Sequence, residues 1–137
     1  YIVVEQNEVC EKGRIIASQF NLPIEFVDSI NKIQNNIDIV ICSSFLQYIE
    51  EWRSYVDSII SCKPEFIIVD RHPLSESDSK IYVQLNTGYY SKPTSYPLHI
   101  LNKDEFLSAF QSFEILKEWS SDFDPDYFKG FLLKNSI

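Results

Sequence analysis

Residues 37–70 read IDIVICSSFLQYIEEWRSYVDSIISCKPEFIIVD, and they hold a complete strand–helix–strand unit. IDIVICSS (37–44) is the most apolar run of the chain and is rich in the β-branched residues that favour strands. From Tyr48 to Ile60 the period changes. Ile49, Trp52, Tyr55, Val56, Ile59 and Ile60 fall on one helical face, while Glu50, Glu51, Arg53, Ser54, Asp57 and Ser58 fall on the other. Lys63–Pro64 ends the helix, and EFIIVD (65–70) is a second apolar strand closing on an acid. Strands joined through a helix run parallel, by a right-handed crossover. The fold class is therefore α/β.

The same alternation extends outward. YIVVE (1–5) reads as a buried parallel strand ending at Glu5, followed by a helix with Val9, Ile15, Ile16 and Phe20 near one face. Asn21–Leu22–Pro23 breaks that helix, IEFV (24–27) is a strand ending at Asp28, and the polar INKIQNN leads back to residue 37. Downstream, Arg71 to Ser79 reads as a loop. Residues 81–101 hold Tyr82, Tyr89, Tyr90 and Tyr96, the turn formers Gly88, Pro93 and Pro97, and a short strand, IYVQL. Asn102 with Glu105 three residues on has capping-box spacing and starts a helix through Phe110. FEILKEW (113–119) and YFKGFLLKN (127–135), joined by the polar SSDFDPD, form an antiparallel hairpin appended to a mostly parallel sheet. All 137 residues fit one domain.

Composition narrows the functions. The formal net charge is -8, from Asp+Glu 20 against Lys+Arg 12. Such a surface repels phosphate backbones and anionic headgroups, so neither nucleic acid nor membrane is an expected partner. No apolar run approaches the ~20 residues that span a bilayer. Cys10, Cys42 and Cys62 are far apart and lack the spacing of a zinc knuckle, so free thiols and a cytoplasmic setting are expected, with no metal. The chain has no Met and opens inside a strand at Tyr1, which reads as the start of a fragment.

Ligands of an open α/β sheet lie beyond the carboxyl ends of its strands. Glu5, Asp28, Ser43 with Ser44, and Asp70 with Arg71 and His72 occupy those ends. A carboxylate there accepts two hydrogen bonds from a ribose diol, which suits Glu5, and Asp28 can accept from an exocyclic amine such as adenine's. Ser43 and Ser44 offer hydroxyl or backbone groups to a cofactor. A histidine's unperturbed pKa lies near neutrality, which suits a general base, so His72 and His99 are the candidates. Asp70 and Arg71 are equally readable as a structural ion pair.

The segments VVEQ, DIVICSSFLQYIEEW, FIIVDRHPL, YVQ and SYPLHI together resemble a bacterial family of class I S-adenosylmethionine-dependent methyltransferases, often encoded among surface-polysaccharide genes. The similarity covers nearly the whole chain, and FLQYIE and DRHPL are its most specific pieces. It implies a Rossmann-like methyltransferase sheet, S-adenosylmethionine as cofactor, and a small molecule or glycan precursor as methyl acceptor. It matches Glu5 to the ribose position and Asp28 to the adenine position. Ser43 and Ser44 match the methionyl end, and Gln47, Tyr89 and Tyr90 match the substrate region. It also implies a first strand and glycine-rich loop before Tyr1, because Gly13, Gly88 and Gly130 form no such loop. That first strand lies between the second and fourth in the family fold, so the exposed edges are expected to be covered by direct pairing, another chain or swapping, a homo-oligomer among the possibilities. Two other functions stay open: a nicotinamide-dependent oxidoreductase fragment, and a non-catalytic interaction module.

Overall fold

The computed structural model describes every residue other than 35, 88–92, 123, 125 and 137. The chain divides into two compact units, Tyr1–Asn36 and Ile37–Ile137.

In the first unit, strand β1 (Ile2–Val4) and strand β2 (Glu25–Val27) pair in parallel, with Val3 opposite Phe26 and Val4 opposite Val27. Helix α1 (Asn7–Gln19) connects them. Its packed side is not the apolar stripe that the sequence suggests. Val9, Ile15, Ile16 and Phe20 are 45–67% exposed, whereas Cys10 and Ala17 are buried. The reason is steric. α1 lies so close to β2 that a Cβ on Gly13 would run into the Phe26 ring, and only small residues fit that face. Arg14 Nη2 also donates to the Phe26 carbonyl at 2.9 Å. Ile2, Val3 and Val4 are half-buried rather than fully buried, and Tyr1 is exposed.

The second unit is built around strand β4, which runs from Phe66 to Ser75. The expected loop at 71–79 is therefore a correction: the strand continues five residues past Asp70, through a bulge between Val69 and His72, where Arg71 takes φ 51°. Strand β3 (Ile39–Ser43) pairs in parallel with the first half of β4, from Ile39–Phe66 to Ser43–Asp70. Beyond the bulge a different neighbour takes over. Strands β5 (Lys80–Asn86) and β6 (Thr94–Asn102) pair as an antiparallel arm, and β6 joins β4 in parallel through Leu74–Leu101 and Ser75–Asn102.

Strands β7 (Phe113–Ser120) and β8 (Phe128–Asn135) close the chain. The expected hairpin forms, and β8 inserts antiparallel between β4 and β7. The order is β5-β6-β4-β8-β7 with β3 on β4. Among the described residues, three of the five pairings in this sheet are antiparallel, so the sheet is mixed and not mostly parallel.

Helix α2 (Trp52–Ser61) buries Trp52, Val56 and Ile59, as its periodicity requires, and is preceded by a 3-10 turn at Leu46–Tyr48. Helix α3 (Lys103–Ser108) is capped by Asn102, whose Oδ1 accepts from the Glu105 amide at 2.9 Å. The other half of the capping box is bridged. Asn102 N donates to Ser79 Oγ, which donates to the Glu105 carboxylate. Ile67, Val69, Leu46, Phe106, Phe131 and Leu133 are the centre of the core, each 0–1% exposed. Each such side chain is worth roughly 1.5–3 kcal/mol of burial.

Candidate functional site

In the first unit, Glu5 follows Val4 and Asp28 follows Val27, and those two valines are register partners in a parallel pair. The ladder continues with Glu5 N donating to Val27 O at 3.0 Å. Both acids therefore stand side by side on one carboxyl rim, about one inter-strand spacing apart. Both are exposed. Glu5 Oε2 accepts from the Gln6 amide at 3.0 Å. Asp28 pairs with Lys32 at 2.6 Å, and that bond holds its carboxyl below the usual carboxylate range. Helix capping falls to Ser29, whose Oγ accepts from Asn31 N, so Asp28 is not spent as a cap. Beneath the rim, the buried Cys10 thiol donates to the carbonyls of Glu5 and Val27, tying the two strand ends together.

In the second unit, the edge of β4 is handed from β3 to β6, and the chain leaving β3 lies against the vacated stretch. Ser44, at φ 48°, donates its amide to Asp70 O at 3.0 Å and its Oγ to Arg71 O at 3.4 Å. Ser43 Oγ accepts from Arg71 Nε at 3.2 Å and Nη2 at 2.9 Å, and donates to Asp70 Oδ2 at 3.4 Å. Asp70 and Arg71 form the ion pair that the sequence allowed, at 3.4 Å. Sequence reasoning missed a fifth member: Trp119 on β7 donates Nε1 to Asp70 Oδ1 at 3.0 Å. It reaches across β8 because its indole lies where a side chain on Gly130 would be. The small residue opposite a tryptophan was the only available signal, and it requires knowing the β7–β8 register.

The two candidate bases are core residues. His72 is 1% exposed, stacks on Phe106 at 4.5 Å, and shares a 3.1 Å hydrogen bond from Nδ1 with Gln47 Oε1. Its Nε2 is buried without a hydrogen-bond partner. Burial pulls its pKa down to about 3, so the ring is neutral through the physiological range. His99, on β6 opposite Ile81, is 8% exposed. Gln47, expected to touch substrate, is itself 1% exposed and faces His72. Gln47 sits beside the buried Leu46 in the 3-10 turn after β3, and His72 meets its Oε1 there. Tyr89 and Tyr90 lie outside the described residues. Nearby, Tyr48 packs edge-on against Tyr96 at 5.3 Å and donates to Gln84 Oε1 at 3.2 Å, while Asn86 donates to the Tyr96 hydroxyl at 2.6 Å. Burial pushes the Tyr48 hydroxyl up, against hydrogen bonds with Gln47 and Gln84 that pull it down.

An α/β sheet whose last strand inserts antiparallel beside its former edge defines the class: a Rossmann-like fold of the methyltransferase type, distinct from an all-parallel dinucleotide-binding sheet. Comparison with solved structures gives the same class. The chain superposes on the glycopeptide N-methyltransferase MtfA complexed with S-adenosyl-L-methionine, with a TM-score of 0.71 at 9% identity over 99% of this chain and 71% of that one. A S-adenosylmethionine-dependent methyltransferase from Clostridium acetobutylicum gives 0.67 at 10% identity, over 99% and 74%. The 1,6-didemethyltoxoflavin-N1-methyltransferase of Burkholderia thailandensis gives 0.64 at 9% identity, over 99% of this chain and 60% of that one. The chain thus spans about three fifths to three quarters of the lengths of these enzymes. No family model matches the sequence, and no curated protein does.

Proposed function

We propose that this chain is part of a S-adenosylmethionine-dependent methyltransferase acting on a small molecule or glycan precursor. The observation that carries the reading is the pairing of Glu5 and Asp28 on one carboxyl rim of parallel strands. A carboxylate at each of two adjacent strand ends fits an adenosine. Glu5 accepts from the ribose hydroxyls, with Oε2 steadied by the Gln6 amide. Asp28 accepts from the adenine amine, exchanging part of an exposed ion pair that contributes little by itself. Ser43 and Ser44 are proposed ligand contacts on their own rim, where Arg71 and Asp70 fix their hydroxyls. When bound, S-adenosylmethionine supplies an electrophilic methyl group open to in-line displacement.

The chain's residues contribute positioning. The reading gives His72 a structural role, holding Gln47 and through it the 3-10 turn after β3, and leaves His99 in β6. It also needs a glycine-rich cradle for the methionyl end. Gly13 is in α1 and Gly130 in β8, Gly88 lies outside the described residues, and we propose that the cradle comes from a further parallel strand on the side of β3 that is unpaired among the described residues, where Ile39 and Ile41 are 52% and 66% exposed.

The test is an amide-resolved NMR titration of the chain with S-adenosylhomocysteine and with adenosine. Both ligands are expected to shift the amides of Val4–Gln6 and Val27–Ser29, with a dissociation constant on the order of 1 mM. Glu5→Gln and Asp28→Asn should each abolish the shifts. Saturable shifts confined to other residues, or none with either ligand at ten times that concentration, would end the assignment.

A further inference from the structure

We propose that β5 is the seam of a symmetric homodimer, in which two copies of this chain join their sheets edge to edge through Lys80–Asn86. The inference concerns the second unit alone and does not depend on the cofactor reading.

Strand β5 ends the sheet: it pairs with β6 on one side and with nothing among the described residues on the other. One face of the arm is covered, where Tyr48 meets Gln84 and Tyr96. The opposite face carries Ile81, Val83 and Leu85 at 69%, 71% and 67% exposure, beside the exposed Pro97 and Ser95. Proteins guard a free edge with charge, proline or a bulge, because unpaired amides and carbonyls template strand addition. The far end of this sheet follows that rule. β7 carries Glu114, Lys117 and Glu118 and a bulge between Ile115 and Lys117. β5 does not follow it. Its seven residues form an unbroken ladder with β6, contain no proline and no acid, and hold one lysine at the first position.

Charge selects the occupant. Two copies of a chain with net charge -8 repel over most of their surface. Residues 80–102 contain no Asp or Glu, so two copies approach there without that penalty. Geometry agrees. A two-fold axis pairs β5 with itself antiparallel, and a register centred on Val83 sets Ile81 opposite Leu85, Tyr82 opposite Gln84 and Lys80 opposite Asn86. Because residues of the same parity face each other, Ile81, Val83 and Leu85 of both copies share one face. The seam would run seven residues long with no like charges opposed.

Sedimentation velocity across micromolar concentrations tests the seam, together with cysteine cross-linking at its centre. The wild-type chain is expected at twice its 16.1 kDa mass, and Val83→Pro at the single mass with an unchanged circular dichroism spectrum. Val83→Cys should give a covalent dimer under mild oxidation, whereas the wild type and Ile115→Cys on β7 should not. A monomeric wild type with no Val83→Cys cross-link overturns the proposal. So does a dimer that survives Val83→Pro, or one that Ile115→Cys links as readily as Val83→Cys. Should Val83→Pro unfold, the cross-link alone decides.

Discussion

Gly130 carries no side chain because the Trp119 indole fills that space on its way to Asp70. Gly130→Ala should therefore displace the indole, break the Asp70 hydrogen bond and lower stability by roughly 1–3 kcal/mol. A lower urea midpoint with a red-shifted tryptophan emission would show it; an unshifted emission would mean that the ring never lay there. His72 makes a pH prediction. It is neutral in the fold down to about 3, while in the unfolded chain it titrates near 6.5. Above 6.5 it has no effect on stability. As the pH falls from 6.5 toward 3 the unfolded chain takes up a proton that the folded chain refuses, and stability drops by on the order of 4 kcal/mol. Urea midpoints measured against pH should fall less steeply in His72→Gln than in the wild type over that window. At this scale the sequence was a partial guide. Strand-end acids are visible because position follows from strand boundaries, whereas the inward turn of Gln47 and His72 depends on contacts between distant segments.

Among elements, α3 is the clearest case of local chemistry carrying through. Asn102→Ala should cost about 1 kcal/mol by removing the acceptor of the Glu105 amide, and Asn102→Ser should restore most of it; thermal denaturation of the three proteins decides this. α2 was equally legible, since its buried residues are those of its 3.6 period. Two elements were not. In α1 the bulky apolar residues are outside and the small ones inside, because Phe26 leaves room only for Gly13 and its small neighbours, a constraint imposed by the partner strand. The second half of β4 reads as a loop because Arg71, His72, Pro73 and Ser75 have poor strand character individually. Their pairing with β8 and β6 overrides that.

For the whole molecule, the alternation of strands and helices was enough to give the α/β class, and the last two strands were enough to give the antiparallel hairpin, while its insertion beside β4 came only from the structure. The mixed sheet was less visible, because the β5–β6 arm has turn-forming residues where a helix would otherwise continue the alternation. The charge balance makes a prediction here as well: at physiological salt the chain should show no retardation of duplex DNA in a gel-shift assay, and measurable retardation would contradict the electrostatic reading.

The hand-over on β4 has a consequence for variation. Among the described residues the arm pairs with β4 through two rungs, Leu74–Leu101 and Ser75–Asn102, with Tyr48 against its covered face and Ser79 and Asn102 fastening its base to α3. The serines at the end of β3 are braced by Asp70, Arg71 and Trp119 instead. Substitutions in β5 can thus be made while those braces stay as they are, so the framework around the serines tolerates changes in the arm.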